Sequence, residues 1–441
     1  MPTIYNNNAL FVVKKLTLAI QAEGNLNENR KGYANYSGLF YLWLRIILSK
    51  GKRIVILGAG FGGLACANLL RESLSSEHQI TVFDKKDYFL MGFVNLWILN
   101  GKRTFEGSKT PLSNLKSKGI SFIQDEVISI NPAEKVITTV RQNHEYDYLV
   151  IALGTEYAPG KISGFVENGG FNLYDVEHIP QLRKKILAME QGRIAICITS
   201  YPYKCPPAPY EASLLISDIL VKNGTRNNIG IDVYCPASIS LPVAGPKVSQ
   251  DVVDLLDKNH VSFHPSHKLK TVADGNSLEF ECAGNGKECV DYSLLIGIPP
   301  HVSPLVAKRS GFIKDGQNWI NADRFILRTE HENVFAIGDV TEIKVNQAVS
   351  IPKAGIFAEG QAKVVSQQIV GQIEDKTCNS KFDGKGFCFM EAGEGKAGYI
   401  DTNFYNKEGP ITILYPPSED SYRKKIDFEK TRLKDWLLPL S

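Results

Sequence analysis

Residues 52–70, KRIVILGAGFGGLACANLL, decide the fold of this chain. The apolar run over Arg53–Leu57 is typical of a buried parallel strand, and a helical pattern begins at about residue 61. Between them Gly58, Gly60 and Gly63 follow the spacing G-x-G-x-x-G. In such a turn the first glycine allows a tight bend, the second lets the backbone approach a pyrophosphate, and the third lets helix and strand pack closely. The stretch therefore predicts a strand–turn–helix unit that binds a dinucleotide.

A second strand pattern strengthens this prediction. Residues 79–86, QITVFDKK, end in an acid at Asp84, roughly 20 residues beyond the turn, where a carboxylate can bind the ribose hydroxyls. This context disfavours the alternative of a glycine-rich turn without a ligand. The predicted nucleotide-binding residues of this part of the chain are Gly58, Gly60, Phe61, Gly62, Gly63, Asp84 and Lys85.

Two later segments indicate which nucleotide is bound. Residues 146–160, YDYLVIALGTEYAPG, and residues 334–343, VFAIGDVTEI, resemble the segments that return to the flavin in the pyridine nucleotide–disulfide oxidoreductase superfamily. The resemblance implies FAD, held in part by the carboxylate of a Gly-Asp pair and by an A-x-G-T turn. The further residues it implies for the FAD site are Val127, Ala152, Gly154, Thr155, Gly338, Asp339, Pro352, Lys353 and Ala354.

The same resemblance implies an α/β fold with two Rossmann-like dinucleotide-binding domains of the three-layer ββα type and a small C-terminal α+β segment. The predicted boundaries are an N-terminal extension over 1–50, FAD-binding parts over 51–157 and 291–371, a second Rossmann-like domain over 158–290, and a C-terminal segment over 372–441. The best apolar stretch of the extension, GLFYLWLRIIL at 38–48, is shorter than the ~18 residues of a membrane span and is predicted to be a short packed helix.

The second dinucleotide unit lacks its glycines. Residues 192–199 predict a strand and residues 210–220 a helix, but residues 199–209, TSYPYKCPPAP, contain no glycine. Side chains and proline rings stand where a phosphate needs bare backbone, so we expect NAD(P)H binding to be absent or poor. Cys205 precedes the helix, where amide dipoles favour a nucleophilic thiolate. The alternative is a partly buried structural cysteine.

The stretch C-P-P-x-P-Y-E is similar to the first redox-cysteine segment of sulfide:quinone oxidoreductases and of the flavocytochrome c sulfide dehydrogenase flavoprotein. Residues 351–369, IPKAGIFAEGQAKVVSQQI, resemble their segment over the flavin ring. This implies that Lys353 steadies the reduced ring, with Pro352, Gly355 and Glu359 on the same face. The chain departs from the group because no cysteine follows Gly338-Asp339. Cys378 and Cys388 can reach Cys205 only if the C-terminal segment folds back.

The C-terminal residues 421–441 predict a basic amphipathic helix with apolar Ile426, Leu433, Trp436, Leu437 and Leu440. Such a helix suits an anionic membrane surface, and the alternative is a helix docked on the protein itself. The membrane interpretation implies a peripheral protein at the cytoplasmic face of the membrane, where quinones are found. The net charge of +3 is too small to indicate nucleic acid. His260, His264 and His267 are irregularly spaced, so no metal site is predicted.

Three functions are compatible with these patterns. The favoured one passes electrons from sulfide or another reduced sulfur compound through FAD to a quinone, with Cys205 and Lys353 as catalytic residues. The second is an NAD(P)H:quinone oxidoreductase, which the glycine-free loop disfavours. The third is a flavoprotein subunit that donates electrons to a cytochrome partner, and a homodimer is also compatible with the sequence.

Overall fold

The computed structural model describes residues 51–347 and 349–438. All of the elements below lie in the compact unit Lys52–Ser441, and the predicted extension over 1–50, with its apolar stretch at 38–48, lies outside the described residues. The strands of the described part are β1 (Arg53–Leu57), β2 (Gln79–Asp84), β3 (Tyr88–Phe89), β4 (Thr110–Pro111), β5 (Ser121–Gln124), β6 (Val127–Asn131), β7 (Val136–Thr139), β8 (Asn143–Glu145), β9 (Tyr148–Ile151), β10 (Glu156–Tyr157), β11 (Phe171–Asn172), β12 (Gly192–Ile198), β13 (Ile229–Tyr234), β14 (Ser262–His264), β15 (His267–Ala273), β16 (Ser277–Cys282), β17 (Gly286–Asp291), β18 (Leu294–Ile298), β19 (His301–Val302), β20 (Val334–Ala336), β21 (Lys385–Gly393), β22 (Lys396–Asn403) and β23 (Ile411–Ser418).

The helices of the described part are fewer than the strands. They are α1 (Phe61–Ser73), α2 (Val94–Leu99), α3 (Ile179–Leu187), α4 (Ala208–Lys222), α5 (Gly245–Lys258), α6 (Leu305–Arg309), α7 (Gly355–Ile373) and α8 (Glu419–Leu437). Within residues 51–347 and 349–438, none of the helices has both the length and the apolar character needed to cross a bilayer.

The first sheet has the strand order β20-β9-β1-β2-β5, with every pair parallel. Ile54 and Ile56 of β1 face the core shared with α1 and α7, while Val55 and Leu57 face the core shared with the meander β6-β7-β8. Both faces of the strand are therefore covered, which explains the unbroken apolar run in its sequence.

The second sheet, β11-β18-β12-β13-β14, is also fully parallel and repeats this three-layer plan. Ile194 and Ile196 of β12 face the helices, whereas Ala195 and Cys197 face a core shared with the meander β15-β16-β17. The predicted fold class, with two Rossmann-like units of ββα layers, is confirmed.

The C-terminal segment folds back over the second unit. Its antiparallel sheet β21-β22-β23 packs against α4 through β21, and α8 lies across β22. Trp436 is only 6% exposed and Leu437 is fully buried, and the Trp436 ring meets Phe61 edge-on with centroids 5.3 Å apart. The prediction that this helix lies on a membrane is therefore wrong, because its apolar residues are occupied by the body of the protein. Leu440 lies outside the described residues.

Candidate active site

The glycine turn between β1 and α1 forms the first part of the site. Gly58 has φ +100°, and a Cβ at this position would lie 2.4 Å from the carbonyl oxygen of Ala152. A Cβ on Gly63 would lie 1.8 Å from the carbonyl oxygen of Gly58, whereas a Cβ on Gly60 would meet nothing within 4 Å. Two of the glycines are thus required by packing inside the protein, and Gly60 faces open space where a phosphate can approach the backbone.

The turn also carries free donors and a carboxylate. No side chain caps the N-terminus of α1, so its first amides are available to an anion. The Asp84 carboxylate accepts hydrogen bonds from the amides of Ala59, at 2.8 Å, and Lys86, at 2.9 Å. These bonds hold Asp84 at the edge of the turn, and its contact with a ribose stays a prediction.

Alanine at Gly60 and at Gly63 should have opposite consequences. Gly63→Ala is expected to cost about 1–3 kcal/mol or more in stability, because the new methyl group overlaps backbone. Gly60→Ala should fold normally and weaken FAD binding about tenfold or more, since its methyl group fills the open space. Thermal unfolding measures the first effect, and the flavin-to-protein absorbance ratio with FAD titration measures the second. Equal behaviour of the two variants would contradict this assignment.

A cavity of about 210 Å³ lies beside the turn, lined by residues that the sequence assigned to the flavin, among them Gly338, Asp339, Pro352, Lys353 and Ala354. The Lys353 ammonium donates to the carbonyl oxygens of Asp339, at 2.6 Å, and Thr341, at 3.0 Å. Burial lowers the pKa of Lys353 to about 8, against the raising effect of the Asp339 charge. Burial also raises the pKa of Asp339. With its pKa near 8, Lys353 becomes more fully protonated when an anionic group binds in this cavity.

The hydroxyl group of Thr155 also indicates that a ligand binds here. The Thr155 hydroxyl is buried and has no hydrogen-bond partner among the described residues. Such a group is usually satisfied by a ligand or water that the protein binds. Together with the open space at Gly60 and the donors at α1, it fits a bound dinucleotide such as FAD.

The remaining predicted flavin residues have varied surroundings. Phe61 packs in an aromatic cluster with Phe89, Phe428 and Trp436, and a Cβ on Gly62 would meet Ile337 at 3.0 Å. Gly154 has φ +67° beside open space. The others occupy different places, with Lys85 exposed, Val127 packed against the β6-β7 core, Gly355 under the Phe61 ring, and Glu359 paired with Arg432 of α8 at 3.2 Å. The carboxylate of Glu359 is thus engaged by α8, and its place on the flavin face stays a prediction.

The loop over 199–209, which stands in place of the second glycine turn, brings Cys205 against Lys353. Lys353 lies in the segment that resembles the one over the flavin ring in sulfide:quinone oxidoreductases. Cys205 has φ +52°, a strained conformation for a non-glycine residue of the kind that often occurs at functional sites. Its amide donates to the carbonyl oxygen of Lys353 at 2.7 Å. The thiol is hydrogen-bonded to Cys388 of β21. The second cysteine, which no segment near Gly338-Asp339 supplies, thus comes from the C-terminal sheet.

The two thiols titrate differently. Their mutual hydrogen bond, aided by burial, raises the pKa of Cys205 well above its usual value, and the same bond lowers the pKa of Cys388. The expectation that Cys205 is the thiolate is therefore wrong for this geometry. Of the two thiols, Cys388 is the one that the hydrogen bond favours as the thiolate, and for Cys205 the hydrogen bond outweighs any benefit from the N-terminus of α4.

A buried charge cluster, formed by Glu211, Glu391 and Lys425, lies near the thiols. The Lys425 ammonium of α8 contacts both carboxylates, with Glu391 at 2.8 Å, and all three side chains are 1% exposed. Burial raises the pKa of Glu211 to about 7, and the two carboxylates outweigh burial to raise the pKa of Lys425. The Lys425 charge also acts to lower the pKa of both thiols, while Glu211 acts to raise it.

Aromatic side chains enclose the other side of Cys205. The Lys204 ammonium lies 5.1 and 5.3 Å from the ring centroids of Tyr157 and Tyr174, and His301 meets both rings edge-on. His301 Nδ1 donates to the Pro299 carbonyl at 3.0 Å, and its Nε2 is buried without a partner among the described residues. Burial lowers the pKa of His301 to about 4, so the ring is neutral at pH 7 and its Nε2 can accept a hydrogen bond from a neighbouring group.

An apolar pocket adjoins the thiols on the Cys388 side. It encloses about 470 Å³, partly open to solvent, between the α4 prolines, the segment before α5, α7 and the C-terminal sheet. Phe357, Phe387 and Phe404 supply ring surface, and Pro352, Ala354 and Phe357 also line the flavin cavity. The pocket can hold a flat apolar molecule next to that cavity.

Sequence reasoning missed the charge cluster. Glu211 stands in the quoted C-P-P-x-P-Y-E stretch, but Lys425 was assigned to the basic face of a membrane helix. Ser421, Lys425 and Glu429 recur at a spacing of four on α8 and are all buried. This spacing of four residues was the sign in the sequence that the three side chains share one face of α8. It was missed because the buried face of a helix is usually apolar, and this one is polar.

Comparisons with known proteins agree with this geometry. A family model described as pyridine nucleotide-disulphide oxidoreductase matches residues 52–197 and 228–362, and one described as the central part of the sulfide dehydrogenase (flavocytochrome c) flavoprotein chain matches residues 180–232. The mitochondrial sulfide:quinone oxidoreductase of Dictyostelium discoideum is 25% identical over 388 residues, covering 85% of this chain and 82% of that protein. The sulfide-quinone reductase of Aquifex aeolicus is 27% identical over 363 residues, covering 79% and 83%.

A solved structure shares the fold over nearly the whole chain. The sulfide:quinone oxidoreductase from the hyperthermophilic bacterium Aquifex aeolicus superposes with a TM-score of 0.80 at 24% identity. The match covers 87% of this chain and 91% of that one.

Proposed function

The chain belongs to the pyridine nucleotide-disulphide oxidoreductase family, and we propose that it is an FAD-dependent enzyme that oxidises sulfide and reduces a quinone. FAD is the cofactor, as in its relatives. The residues proposed to hold it are those of the β1–α1 turn with Asp84, Thr155, Asp339 and Lys353. When bound, FAD accepts an electron pair and passes it to a second acceptor.

The observation that carries this proposal is the contact between Cys205 and Cys388 beside the flavin segment. Two thiols in contact can interconvert with a disulfide, and a disulfide is an electrophile toward hydrosulfide. A single cysteine lacks this chemistry, so the pair supports sulfur oxidation more strongly than Cys205 alone.

The geometry suggests which sulfur is attacked. Hydrosulfide attacking the Cys205 sulfur of the oxidised pair breaks the Cys205–Cys388 bond, forms a new sulfur–sulfur bond on Cys205, and releases Cys388 as thiolate. The lower pKa of Cys388 makes it the better leaving group. The step conserves electrons, since one sulfur–sulfur bond replaces another. Two electrons remain on the thiolate side of the pair, where the bound cofactor can take them. The positive charge of Lys425 favours the anionic product.

The acceptor is proposed from the apolar pocket. Its aromatic walls and its shared boundary with the flavin cavity suit a quinone ring. Because long-chain quinones dissolve in bilayers, this acceptor implies a peripheral protein at a membrane surface. The α8 helix is not available for that contact, whereas Ile411, Ile413 and Tyr415 of the edge strand β23 are each nearly half exposed on one face.

The choice of donor is tested by anaerobic stopped-flow of the purified flavoprotein. Sulfide is expected to bleach the flavin absorbance, and NADH to bleach it no faster than a control without donor, because the loop over 199–209 offers no bare backbone to a second pyrophosphate. Adding a short-chain quinone should then restore the oxidised spectrum. Rapid bleaching by NADH and none by sulfide would replace the proposal by an NAD(P)H:quinone oxidoreductase. Reoxidation by a haem protein and not by quinone would favour the cytochrome-donating subunit.

A further inference from the structure

Three potential metal ligands meet at one end of the β15-β16-β17 meander. His267 is the first residue of β15 and pairs with Cys282, the last residue of β16, while Glu288 lies on β17. One ligand atom from each residue lies within 4.8 Å of the other two. Tetrahedral zinc, with bonds of about 2.0 to 2.3 Å, places its ligand atoms roughly 3.3 to 3.8 Å apart, so small side-chain rotations suffice to close the site.

The hydrogen bonds of His267 leave one nitrogen directed at the cluster. Nδ1 lies 2.7 Å from the Pro265 carbonyl oxygen, which can only accept, so Nδ1 carries a proton. Nε2 then lies 3.0 Å from a carboxylate oxygen of Glu288. In the neutral ring, with an ionised carboxylate, both of these atoms are acceptors, and two acceptors at this distance need a proton or a bound cation between them. Either a proton shared by the imidazole and the carboxyl group or a metal ion meets this need.

The surroundings favour a cation over a simple ion pair. A thiol from Cys282 joins the two acceptors, and an imidazolium–carboxylate pair has no need of it. The ring of His267 packs against the stacked rings of Tyr234 and Phe280, with centroids 5.8 and 5.6 Å away, so its orientation is set before a ligand arrives. The Glu288 side chain is half exposed, which provides an entry path and room for a water as fourth ligand.

The charge and the type of the ligand atoms narrow the choice of metal ion. An imidazole nitrogen, a thiolate and a carboxylate form the mixed set typical of zinc, and hard cations such as Mg²⁺ and Ca²⁺ prefer oxygen alone. Thiolate and carboxylate together neutralise a divalent ion. The neighbouring His264 is engaged elsewhere, since its Nε2 bonds to Asp232 at 2.7 Å.

We propose that His267, Cys282 and Glu288 form a zinc-type metal site, which ties together the three strands of this meander and is separate from the redox thiols. The sequence predicted no metal site, because the three ligands come from three strands and only the register of the sheet brings them together. Binding releases the thiol proton of Cys282, so it is tighter as pH rises toward the thiol pKa.

The test uses the full-length flavoprotein carrying Cys205→Ser and Cys388→Ser, because the redox pair could itself bind zinc. After chelator treatment, zinc is titrated in competition with a chromophoric chelator, and Co²⁺ is added to record the difference spectrum against metal-free protein. We expect one metal per chain, a thiolate-to-cobalt charge-transfer band, and a higher unfolding temperature with zinc.

Single substitutions then locate the ligands. In this background Cys282→Ser, His267→Gln and Glu288→Gln are each expected to weaken zinc binding by at least about tenfold, and Cys282→Ser should remove the charge-transfer band. The matched control Cys289→Ser changes an exposed cysteine on β17 and should leave both readouts unchanged. If the background protein binds no zinc, or binds it equally well after Cys282→Ser and Glu288→Gln, the cluster is only an ion pair and the proposal is overturned. Because Glu288 is exposed, the Glu288→Gln variant is expected to fold and to test the proposal even if Cys282→Ser or His267→Gln does not fold.

Discussion

Replacing Cys388 by serine is expected to leave FAD bound and to slow reduction of the flavin by sulfide by at least about a hundredfold. Serine cannot form the sulfur–sulfur bond with Cys205, so the electrophile that hydrosulfide attacks is lost. Cys205→Ser should have the same effect, because the disulfide requires both sulfur atoms. Anaerobic stopped-flow bleaching with sulfide measures the rate, and the flavin-to-protein absorbance ratio shows that the cofactor remains.

The double variant provides the sharper result. If the two cysteines act as one unit, Cys205→Ser combined with Cys388→Ser should lose no more activity than either single change. Cys289→Ser is the matched control, since this cysteine is exposed and lies on β17. Unchanged bleaching in Cys388→Ser would remove the C-terminal sheet from the chemistry and leave Cys205 to act alone.

Replacing Lys425 by methionine is expected to lower the free energy of unfolding by about 3–5 kcal/mol. The methionine fits the same space but leaves Glu211 buried without an ammonium, and leaves Glu391 with Lys102, at 3.2 Å, as its remaining ammonium partner. The loss should also be felt at the active site, because Lys425 lowers the pKa of Cys388. Urea unfolding of the holoprotein followed by flavin and tryptophan fluorescence measures the stability.

Two comparisons separate charge compensation from simple loss of packing. Lys425→Met combined with Glu211→Gln should recover part of the stability, because Glu211 is the carboxylate left without an ammonium, whereas Glu391 still contacts Lys102 at 3.2 Å. Lys424→Met removes the adjacent lysine of α8, whose partner Asp420 is on the surface, and should leave the unfolding midpoint unchanged. Lys425→Met behaving like Lys424→Met would show that the buried cluster contributes little to the fold.

Local sequence was a reliable guide wherever one short segment carries the whole requirement. The β1–α1 turn is an example, because its glycines and the bounds of its strand follow from backbone sterics and from burial on both faces. The loop at 199–209 is also local information, since its lack of glycine is visible in the sequence, and the poor NAD(P)H binding expected from it stays a prediction.

Predictions failed where a residue's partner is distant in the chain. The amphipathic pattern of α8 is the same for a helix that meets lipid and for one that meets protein, and only the position of Phe61 and Phe89 decides between them. The ion pair of Glu359 with Arg432 of the same distant helix was likewise not visible in the sequence.

The sequence by itself determined the two parallel sheets, FAD as the cofactor and the glycine-free loop after β12, because backbone conformation and periodic burial depend on near neighbours. Only the tertiary structure decided that Cys388 meets Cys205, that Lys425 lies between two buried carboxylates, and that His267, Cys282 and Glu288 converge. These arrangements depend on strand register and on the return of the C-terminal sheet over α4. Such long-range pairing is set by the packing of the whole core, which no short segment encodes.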